Sequence, residues 1–226
     1  MFTKLGLGRK CEAFRYAVSN IPCECRKCGC PAAKRRHGSY SFTYVNEGEK
    51  FIYYDVPKAA STTIRKTFFN NDNSLSLIDP TQELGQYFTF SFVRNPWDRI
   101  VSNWKMFTTQ KARIVQLSAM TGDDTNLLSS LNEFPNFVSF AFEHPNHHWA
   151  PQVLYFPGKI DFIGRLENFT IDFRSVAEQI GYKFDVIPHE NRTKPAAFQN
   201  YFTDDLRKSV ARKYAEDIDR FDYTFN

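Results

Sequence analysis

The feature that most constrains the fold is a buried strand that runs into a short polar loop and then into a helix. Residues 51–56 (FIYYDV) are mostly apolar and predict the strand. The loop that follows carries Lys58 and three successive hydroxyl residues at positions 61–63, and a helix is predicted from Ile64 to about Asn70. Backbone N–H groups at a helix N-terminus bind phosphate-like anions. The segment therefore predicts a site for such a group.

This loop differs from the ATP-binding type, which requires the pattern G-x-x-x-x-G-K-[ST]. No glycine lies between Lys50 and Gly85. Two interpretations of the segment on its own stay open. It is either a phosphate-binding loop of another kind, or an ordinary strand–turn–helix whose lysine is solvated.

A second segment, residues 88–107, repeats the same order of elements. Phe88–Val93 is predicted as a strand and Arg94 as part of a turn. Asn95 suits the N-cap of a helix and Pro96 its first position. Four apolar residues then follow at i, i+3, i+4 and i+7 and predict one buried helix face: Trp97, Ile100, Val101 and Trp104.

The two segments place basic residues at equivalent positions. Lys58 follows the first strand and Arg94 follows the second, while Ser102 lies two turns into the second helix. Ligands of open α/β sheets bind beyond the carboxyl ends of the strands. We therefore expect one ligand that carries two separate anionic groups.

Three segments together resemble a known family. Residues 56–63 (VPKAASTT) and 92–102 (FVRNPWDRIVS) resemble the two nucleotide signatures of sulfotransferases that use 3′-phosphoadenosine 5′-phosphosulfate (PAPS). Residues 148–152 (HWAPQ) and 161–167 (DFIGRLE) are similar to carbohydrate sulfotransferases of the chondroitin, dermatan and HNK-1 type. The ending 214–223 (YAEDIDRFDY) is also similar to theirs. The likeness covers about residues 50–225.

The resemblance implies an α/β fold, P-loop-like, with three α/β/α layers and a central, mainly parallel sheet. It implies that Lys58 contacts the phosphosulfate. It places Arg94 and Ser102 on the 3′-phosphate. The loop around the 5′-phosphate would be formed by Ala59, Ala60, Ser61, Thr62 and Thr63. In the polar loop 186–199, Arg192 and Lys194 are candidates for the 3′-phosphate or an anionic acceptor, and a solvated loop is the alternative.

The sequence departs from that family at two places. Many relatives have a glycine where Ala60 stands, so this loop is expected to turn without positive φ there. Golgi members carry a cysteine pair after the H-W-x-P segment, and residues 153–157 (VLYFP) contain none.

Arg99 is assigned to the polar face of the second helix. It either reaches the nucleotide or pairs with Asp98 or another acid, and the structural role is favoured.

The chemistry implied by the resemblance is in-line transfer of a sulfuryl group to a hydroxyl. Lys58 would neutralise charge that builds on the leaving bridging oxygen, and the site needs no Mg²⁺ or other metal. A general base must take the acceptor proton; His148 and His147 are the first candidates, and a core histidine is the alternative for His148. Weaker candidates are His144, His189, Glu143 and Glu167.

The 226 residues suit one α/β domain, assigned to 41–226, preceded by a basic, cysteine-rich segment over 1–40. That segment holds all five cysteines: Cys11, Cys23, Cys25, Cys28 and Cys30. Four thiolates suffice for a structural zinc, but the usual site splits its ligands into two separated pairs. Reduced thiols or local disulfides are therefore favoured over zinc.

The net charge of +4 fits an anionic cofactor and is too small to indicate nucleic-acid binding. No run of 18 apolar residues and no apolar leader region is present, so we expect no membrane span and a cytoplasmic location. Further helices are expected within 111–145, after Thr170 up to Gly181, and from Thr203 onward, with a short strand at 161–164.

The sequence thus predicts a sulfotransferase with PAPS as donor and a carbohydrate acceptor. A small-molecule metabolite is the alternative acceptor. A phosphate-loop nucleotide kinase is a less favoured function, because the glycine-rich ATP pattern is missing. A zinc-dependent binding protein that keeps the fold without activity is a third hypothesis.

Overall fold

The computed structural model describes residues 43–70, 86–110, 113, 129–156, 159–183 and 197–226. Several sequence predictions concern residues outside these ranges. They include the cysteine-rich segment 1–40 with its zinc hypothesis, most of 111–128, and the polar-loop residues His189, Arg192 and Lys194.

A four-stranded mixed sheet lies at the centre of the described residues. Its strands are β1 (Thr43–Asn46), β2 (Phe51–Tyr54), β3 (Phe88–Val93) and β4 (Phe162–Arg165), in that spatial order. β1 pairs antiparallel with β2, and β2–β3 and β3–β4 pair in parallel. The α/β class and the mainly parallel sheet predicted from the sequence are therefore confirmed.

Six α-helices accompany this sheet in the described part of the chain. They are α1 (Ser61–Phe69), α2 (Pro96–Thr109), α3 (Phe134–Glu143), α4 (Phe169–Gln179), α5 (Asp204–Lys213) and α6 (Ala215–Phe221). Short 3₁₀ turns occupy Gln152–Tyr155, Leu166–Asn168 and Phe198–Tyr201. Both α1 and α2 begin just beyond the carboxyl end of a parallel strand, which is where ligands of such sheets bind.

The start of α2 has the capping chemistry that the sequence predicted. The Asn95 side chain accepts hydrogen bonds from the backbone N–H groups of Trp97 and Asp98, at 3.1 and 3.5 Å. Pro96 occupies the first helical position, where its missing N–H costs nothing. Because these contacts are local, the sequence alone suffices to predict where this helix begins.

Three helix boundaries differ from the sequence prediction. α1 begins at Ser61, three residues earlier than expected, and α4 is preceded by Asn168 at its cap and not by Thr170. The C-terminal segment is two helices with a break at Tyr214, whose hydroxyl donates to the carbonyl of Trp149 at 2.7 Å. A tertiary hydrogen bond of this kind accompanies the break and is invisible in the local pattern.

Aromatic side chains fill the core around β2 and β3. The ring of Phe68 stacks on Phe173 at 5.0 Å, and Tyr53 stacks on Phe90 at 5.2 Å. All four side chains of β2 are buried. Since alternate side chains of a strand point to opposite faces, both faces of β2 are covered.

Gly164 permits close packing between β3 and β4, and replacing it should weaken the fold. A Cβ at this position would lie 2.5 Å from Cε1 of the buried Phe92 ring. We expect Gly164→Ala to lower the free energy of unfolding by about 1–3 kcal/mol, because the ring has no room to move. Urea denaturation measures the change.

The matched control is Gly48→Ala, where a Cβ would approach only Asn46 Oδ1, at 3.4 Å, in an exposed turn. It should shift stability by less than about 0.5 kcal/mol. Equal stability of the two variants would contradict the packing argument.

Candidate functional site

The loop between β2 and α1 turns sharply through two residues with positive φ. Lys58 has φ 72° and Ala60 has φ 68°, which places both in the left-handed region. The expectation that Ala60 avoids positive φ is therefore wrong. The chain must pass from a strand into a helix within a few residues, and Ala60 takes this conformation despite a cost of roughly 1 kcal/mol for an L-residue.

The N-terminus of α1 presents backbone donors. The Ala60 cap provides no side-chain hydrogen bond, so the first N–H groups of this nine-residue helix have neither intrahelical nor side-chain cap partners. Of the three hydroxyl residues, Ser61 donates to the carbonyl of Val56 at 3.0 Å. Thr62 is exposed and Thr63 is buried. The helix start, more than the hydroxyls as a group, offers anion-binding donors.

Lys58 projects from this turn toward α2. Its Nζ lies 3.6 Å from the sulfur of Met106. Burial lowers the pKa of Lys58 to about 8, with a further contribution from the positive charges of Arg94, Arg113 and Arg99. A half-buried ammonium near other cations is well placed to bind an anion. A bound anion would raise the pKa of Lys58 again, because it would offset the cost of burial and the repulsion from the arginines.

Arg94 lies against the Lys58 loop, so the two predicted units meet. Its Nη1 donates to the carbonyl of Lys58 at 3.3 Å, and its Nε forms an ion pair with Asp98 at 2.8 Å. The Gln152 side chain exchanges two hydrogen bonds with the Arg94 backbone, at 2.9 and 2.8 Å. Ser102 is half-buried on α2 and makes no hydrogen bond with Lys58 or Arg94, although all three residues are described.

Arg99 has a position that the sequence analysis did not predict. It is 2% exposed, so its assignment to the polar helix face is wrong. It does not pair with Asp98 either, since that carboxylate binds Arg94. Instead Arg99 Nε donates to the carbonyl of Pro57 at 3.0 Å and Nη1 to the carbonyl of Ala150 at 2.7 Å. Burial of this arginine follows from contacts with residues far away in the sequence.

His147 and His148 lie side by side, with ring centroids 3.9 Å apart. Asn146 Oδ1 accepts the backbone N–H of His148 at 2.9 Å and also faces His148 Nδ1 at 3.0 Å. An amide oxygen accepts hydrogen bonds and cannot donate one. The His148 Nδ1 atom that faces Asn146 Oδ1 must therefore carry a proton. The neutral His148 ring therefore keeps its lone pair on Nε2, as a general base requires.

The two histidines are held neutral by their surroundings. Burial lowers the pKa of His147 to about 4 and that of His148 to about 2, and neighbouring positive charges act in the same direction. For His147 those charges belong to Arg113 and Arg99. The charged neighbours that lower the pKa of Lys58 are likewise arginines, so this region is a concentration of positive charge.

These low pKa values make stability depend on pH. A histidine in an unfolded chain has a pKa near 6.5. At pH values between this pKa and the lower pKa of the folded state, the unfolded chain binds more protons than the folded one. The stabilising contribution is complete above about pH 6.5 and is lost as pH falls toward the folded values. We expect the free energy of unfolding in urea to decrease by about 1 kcal/mol or more from about pH 7 to about pH 5.

His148→Gln removes one of these groups and should flatten the pH dependence. The glutamine keeps a polar side chain of similar reach, so the comparison isolates the titrating ring. The same slope in the variant and the wild type would contradict the assignment of a depressed pKa to His148.

Other acidic residues near the site have structural contacts. Glu167 accepts the backbone N–H of Asn95 at 2.6 Å and the hydroxyl of Tyr223 at 3.1 Å, so it orients the turn next to Arg94. Asp217 was missed by the sequence analysis. It is fully buried and accepts the N–H groups of Gln152 and Val153, at 2.8 and 2.9 Å. Asp217 thereby fixes the position of Gln152, whose side chain makes two hydrogen bonds with the Arg94 backbone.

The remaining base candidates lie at the end of α3. His144 stacks on Phe140 at 4.2 Å, with Nδ1 2.9 Å from the Phe140 carbonyl, and Glu143 is exposed at the last position of the helix. Among the residues that the structure describes, no cluster of histidine, cysteine and acidic side chains has metal-site geometry. No helix in the described ranges is both long and apolar enough to span a membrane.

Two strand–loop–helix units therefore place Lys58 and Arg94 side by side at one edge of the parallel strands of an α/β protein. Residues 42–224 match the model of the Sulfotransferase family, and the chain belongs to that family. No curated protein and no solved structure matches the chain.

Proposed function

We propose that this protein transfers a sulfuryl group from PAPS to an acceptor hydroxyl. The contact between Arg94 Nη1 and the Lys58 carbonyl, at 3.3 Å, carries the proposal. It brings together two basic residues that stem from separate strand–loop–helix units. A nucleotide with phosphate groups at both its 5′ and 3′ positions needs two such cationic sites.

The donor-binding roles follow from this placement. The turn of Lys58, Ala59 and Ala60 and the start of α1 at Ser61, Thr62 and Thr63 would hold the 5′-phosphosulfate through backbone N–H groups. Arg94 would bind the 3′-phosphate by charge-assisted hydrogen bonds. Ser102 is assigned to the same group by family resemblance. Arg192, outside the described residues, is a further candidate.

In the proposed reaction the acceptor oxygen attacks sulfur in line with the leaving phosphate oxygen. A new S–O bond forms while the S–O bond to the phosphate breaks, and the electron pair of that bond goes to the phosphate. Lys58 stabilises the charge that builds on the departing oxygen. His148 Nε2 takes the acceptor proton, and His147 is the second candidate.

The low pKa of His148, about 2, bears on this role. A base this weak accepts a proton poorly in the empty site. Binding a donor with several negative charges would offset the neighbouring cations and raise the pKa. Donor binding would thereby prepare His148 for the proton.

We further propose a carbohydrate acceptor, on the resemblance of residues 148–152 and 161–167. A small-molecule hydroxyl compound is the alternative. Residues 41–226 would form the sulfotransferase domain, with 1–40 as a separate cysteine-rich segment whose zinc content is open to metal analysis. The burial of all four β2 side chains supports a three-layer, P-loop-like arrangement.

Calorimetric titration tests the donor assignment. We expect adenosine 3′,5′-bisphosphate, the product left by PAPS, to bind at micromolar concentration without metal. ATP–Mg²⁺ should bind more weakly, because the loop lacks the glycines of the ATP motif. Adenosine 5′-monophosphate tests whether the 3′-phosphate matters.

Tighter binding of ATP–Mg²⁺ than of the bisphosphate would favour a nucleotide kinase instead. No binding of any nucleotide would favour the inactive, zinc-dependent hypothesis. Positive bisphosphate binding justifies a screen of carbohydrate and small-molecule acceptors with PAPS, read out by mass spectrometry.

A further inference from the structure

Arg99 connects the two halves of the proposed reaction. Its Nε donates to the carbonyl of Pro57, the residue before Lys58, at 3.0 Å. Its Nη1 donates to the carbonyl of Ala150, two residues after His148, at 2.7 Å. One rigid guanidinium therefore touches both the loop that carries Lys58 and the segment that carries the histidines.

Asn103 reinforces this connection one helical turn later. It is fully buried, and its Nδ2 donates to the carbonyl of His148 at 2.8 Å. Residues four positions apart lie on the same face of a helix. α2 therefore holds the histidine segment at two carbonyls, and through Arg99 it holds the Lys58 loop as well.

The burial of Arg99 is energetically expensive. Among the described residues no carboxylate forms a salt bridge with it, and its Nη2 is buried with no hydrogen-bond partner in those ranges. The positive charge of Arg99 acts to lower the pKa of Asp217, but the carboxylate of Asp217 already accepts two backbone N–H groups. An unpaired buried charge costs several kcal/mol, so packing alone does not account for an arginine here.

We propose that Arg99, assisted by Asn103, is a positioning residue that sets the separation between the Lys58 ammonium and the His148 ring. The proposal rests on the function proposed above. In-line transfer requires the acceptor hydroxyl to fit between the sulfuryl group at Lys58 and the base at His148. A misplacement of about 1 Å in such an arrangement costs on the order of 100-fold in rate.

Arg99→Lys tests the proposal because it keeps the positive charge but removes the planar guanidinium, whose N–H donors point in fixed directions. A lysine is a single-point donor and does not bridge two carbonyls in the fixed geometry of a guanidinium. We expect kcat to fall about 100-fold. The KM for PAPS and the dissociation constant of adenosine 3′,5′-bisphosphate should change less than about threefold, because the groups assigned to the donor are intact.

Arg165→Lys is the matched control. Arg165 also donates to a backbone carbonyl, that of Phe221, and lies over a tyrosine ring, Tyr223, at 5.0 Å. Arg99 lies over Tyr155 at 5.9 Å in a similar way. The control should lower thermal stability to a comparable degree and leave kcat unchanged.

Asn103→Ala provides a second test if Arg99→Lys does not fold. It removes the bond to His148 and leaves the Lys58 loop untouched, so kcat should fall at least tenfold with bisphosphate binding unchanged. Wild-type kcat in either variant overturns the proposal. An equal loss of kcat and bisphosphate affinity also overturns it, since that pattern indicates general disruption of the site.

The wild-type titration separates this inference from the function on which it rests. Wild-type protein that binds no bisphosphate contradicts the proposed function itself. Wild-type protein that binds the bisphosphate and transfers sulfuryl groups, together with a fully active Arg99→Lys, contradicts only the role of Arg99.

Discussion

Replacing Lys58 with methionine should nearly abolish transfer and at the same time stabilise the protein. We expect kcat to fall by about 10²- to 10³-fold. The side chain would no longer place a positive charge at the leaving oxygen, and loss of one such stabilising group costs on the order of 10²–10³ in rate. Methionine is close to lysine in length, so a cavity does not explain the loss.

The gain in stability follows from the pKa of Lys58. It is about 8 in the folded protein, mainly because of burial, against an ordinary value of 10.4. The unfolded chain holds its proton more tightly, so at neutral pH the charged lysine opposes folding. Allowing for partial exposure, Lys58→Met should raise the free energy of unfolding at pH 7 by about 1–2 kcal/mol.

Steady-state kinetics and urea denaturation on the same samples measure the two effects. Lys66→Met is the matched control, because Lys66 is exposed on α1, eight residues away. It should change neither kcat nor stability appreciably. An active Lys58→Met would refute the assigned role, and a less stable one would refute the argument from burial.

A simultaneous gain in stability and loss of activity is a signature of a functional site. Charges that converge without acidic partners destabilise an empty site and are compensated when an anion binds. Lys58 and Arg99 fit this description, and burial together with the positive charges around them keeps the two adjacent histidines neutral. The fold tolerates these costs because the aromatic core beneath β2 and β3 is extensive.

The parts of this site that sequence reasoning predicted depend on local chemistry. Asn95 and Pro96 mark the start of α2 because an N-cap bonds to residues two and three positions away. Lys58 and Arg94 follow apolar strands, and parallel pairing of those strands brings their carboxyl ends to one edge. Pattern and topology together were enough to predict that they converge.

The parts that it missed depend on distant contacts. Arg99 is buried by the carbonyls of Pro57 and Ala150, which lie 42 and 51 residues away. Asp217 supports Gln152 across 65 residues. A polar residue gives no local signal that its partners are backbone groups elsewhere, so its burial is not predictable from periodicity.

Ala60 shows a different limit of sequence reasoning. An alanine was expected to avoid positive φ, yet it adopts φ 68° directly before α1. The cost of roughly 1 kcal/mol is small compared with the aromatic packing that fixes β2 and α1. Tertiary structure therefore decides the conformation of this loop.

Replacing Arg94 with alanine should selectively remove recognition of the 3′-phosphate. Charge-assisted hydrogen bonds contribute about 1.5–3 kcal/mol, so the affinity for adenosine 3′,5′-bisphosphate should fall about 10- to 100-fold. The affinity for adenosine 5′-monophosphate, which lacks that phosphate, should change less than about threefold. Calorimetry with both nucleotides gives the preference for the bisphosphate directly, and Arg94→Ala should largely abolish that preference.

Asp98 supplies the control for this experiment. It is paired with Arg94 at 2.8 Å, so in Arg94→Ala its carboxylate, without that partner, would itself repel the phosphate. The double variant Arg94→Ala/Asp98→Ala separates lost attraction from this added repulsion, and Asp98→Ala alone should bind the bisphosphate at least as tightly as the wild type. An equal loss of affinity for both nucleotides in Arg94→Ala would contradict binding of the 3′-phosphate by Arg94. It would mean that Arg94 supports the loop through its hydrogen bond to the Lys58 carbonyl.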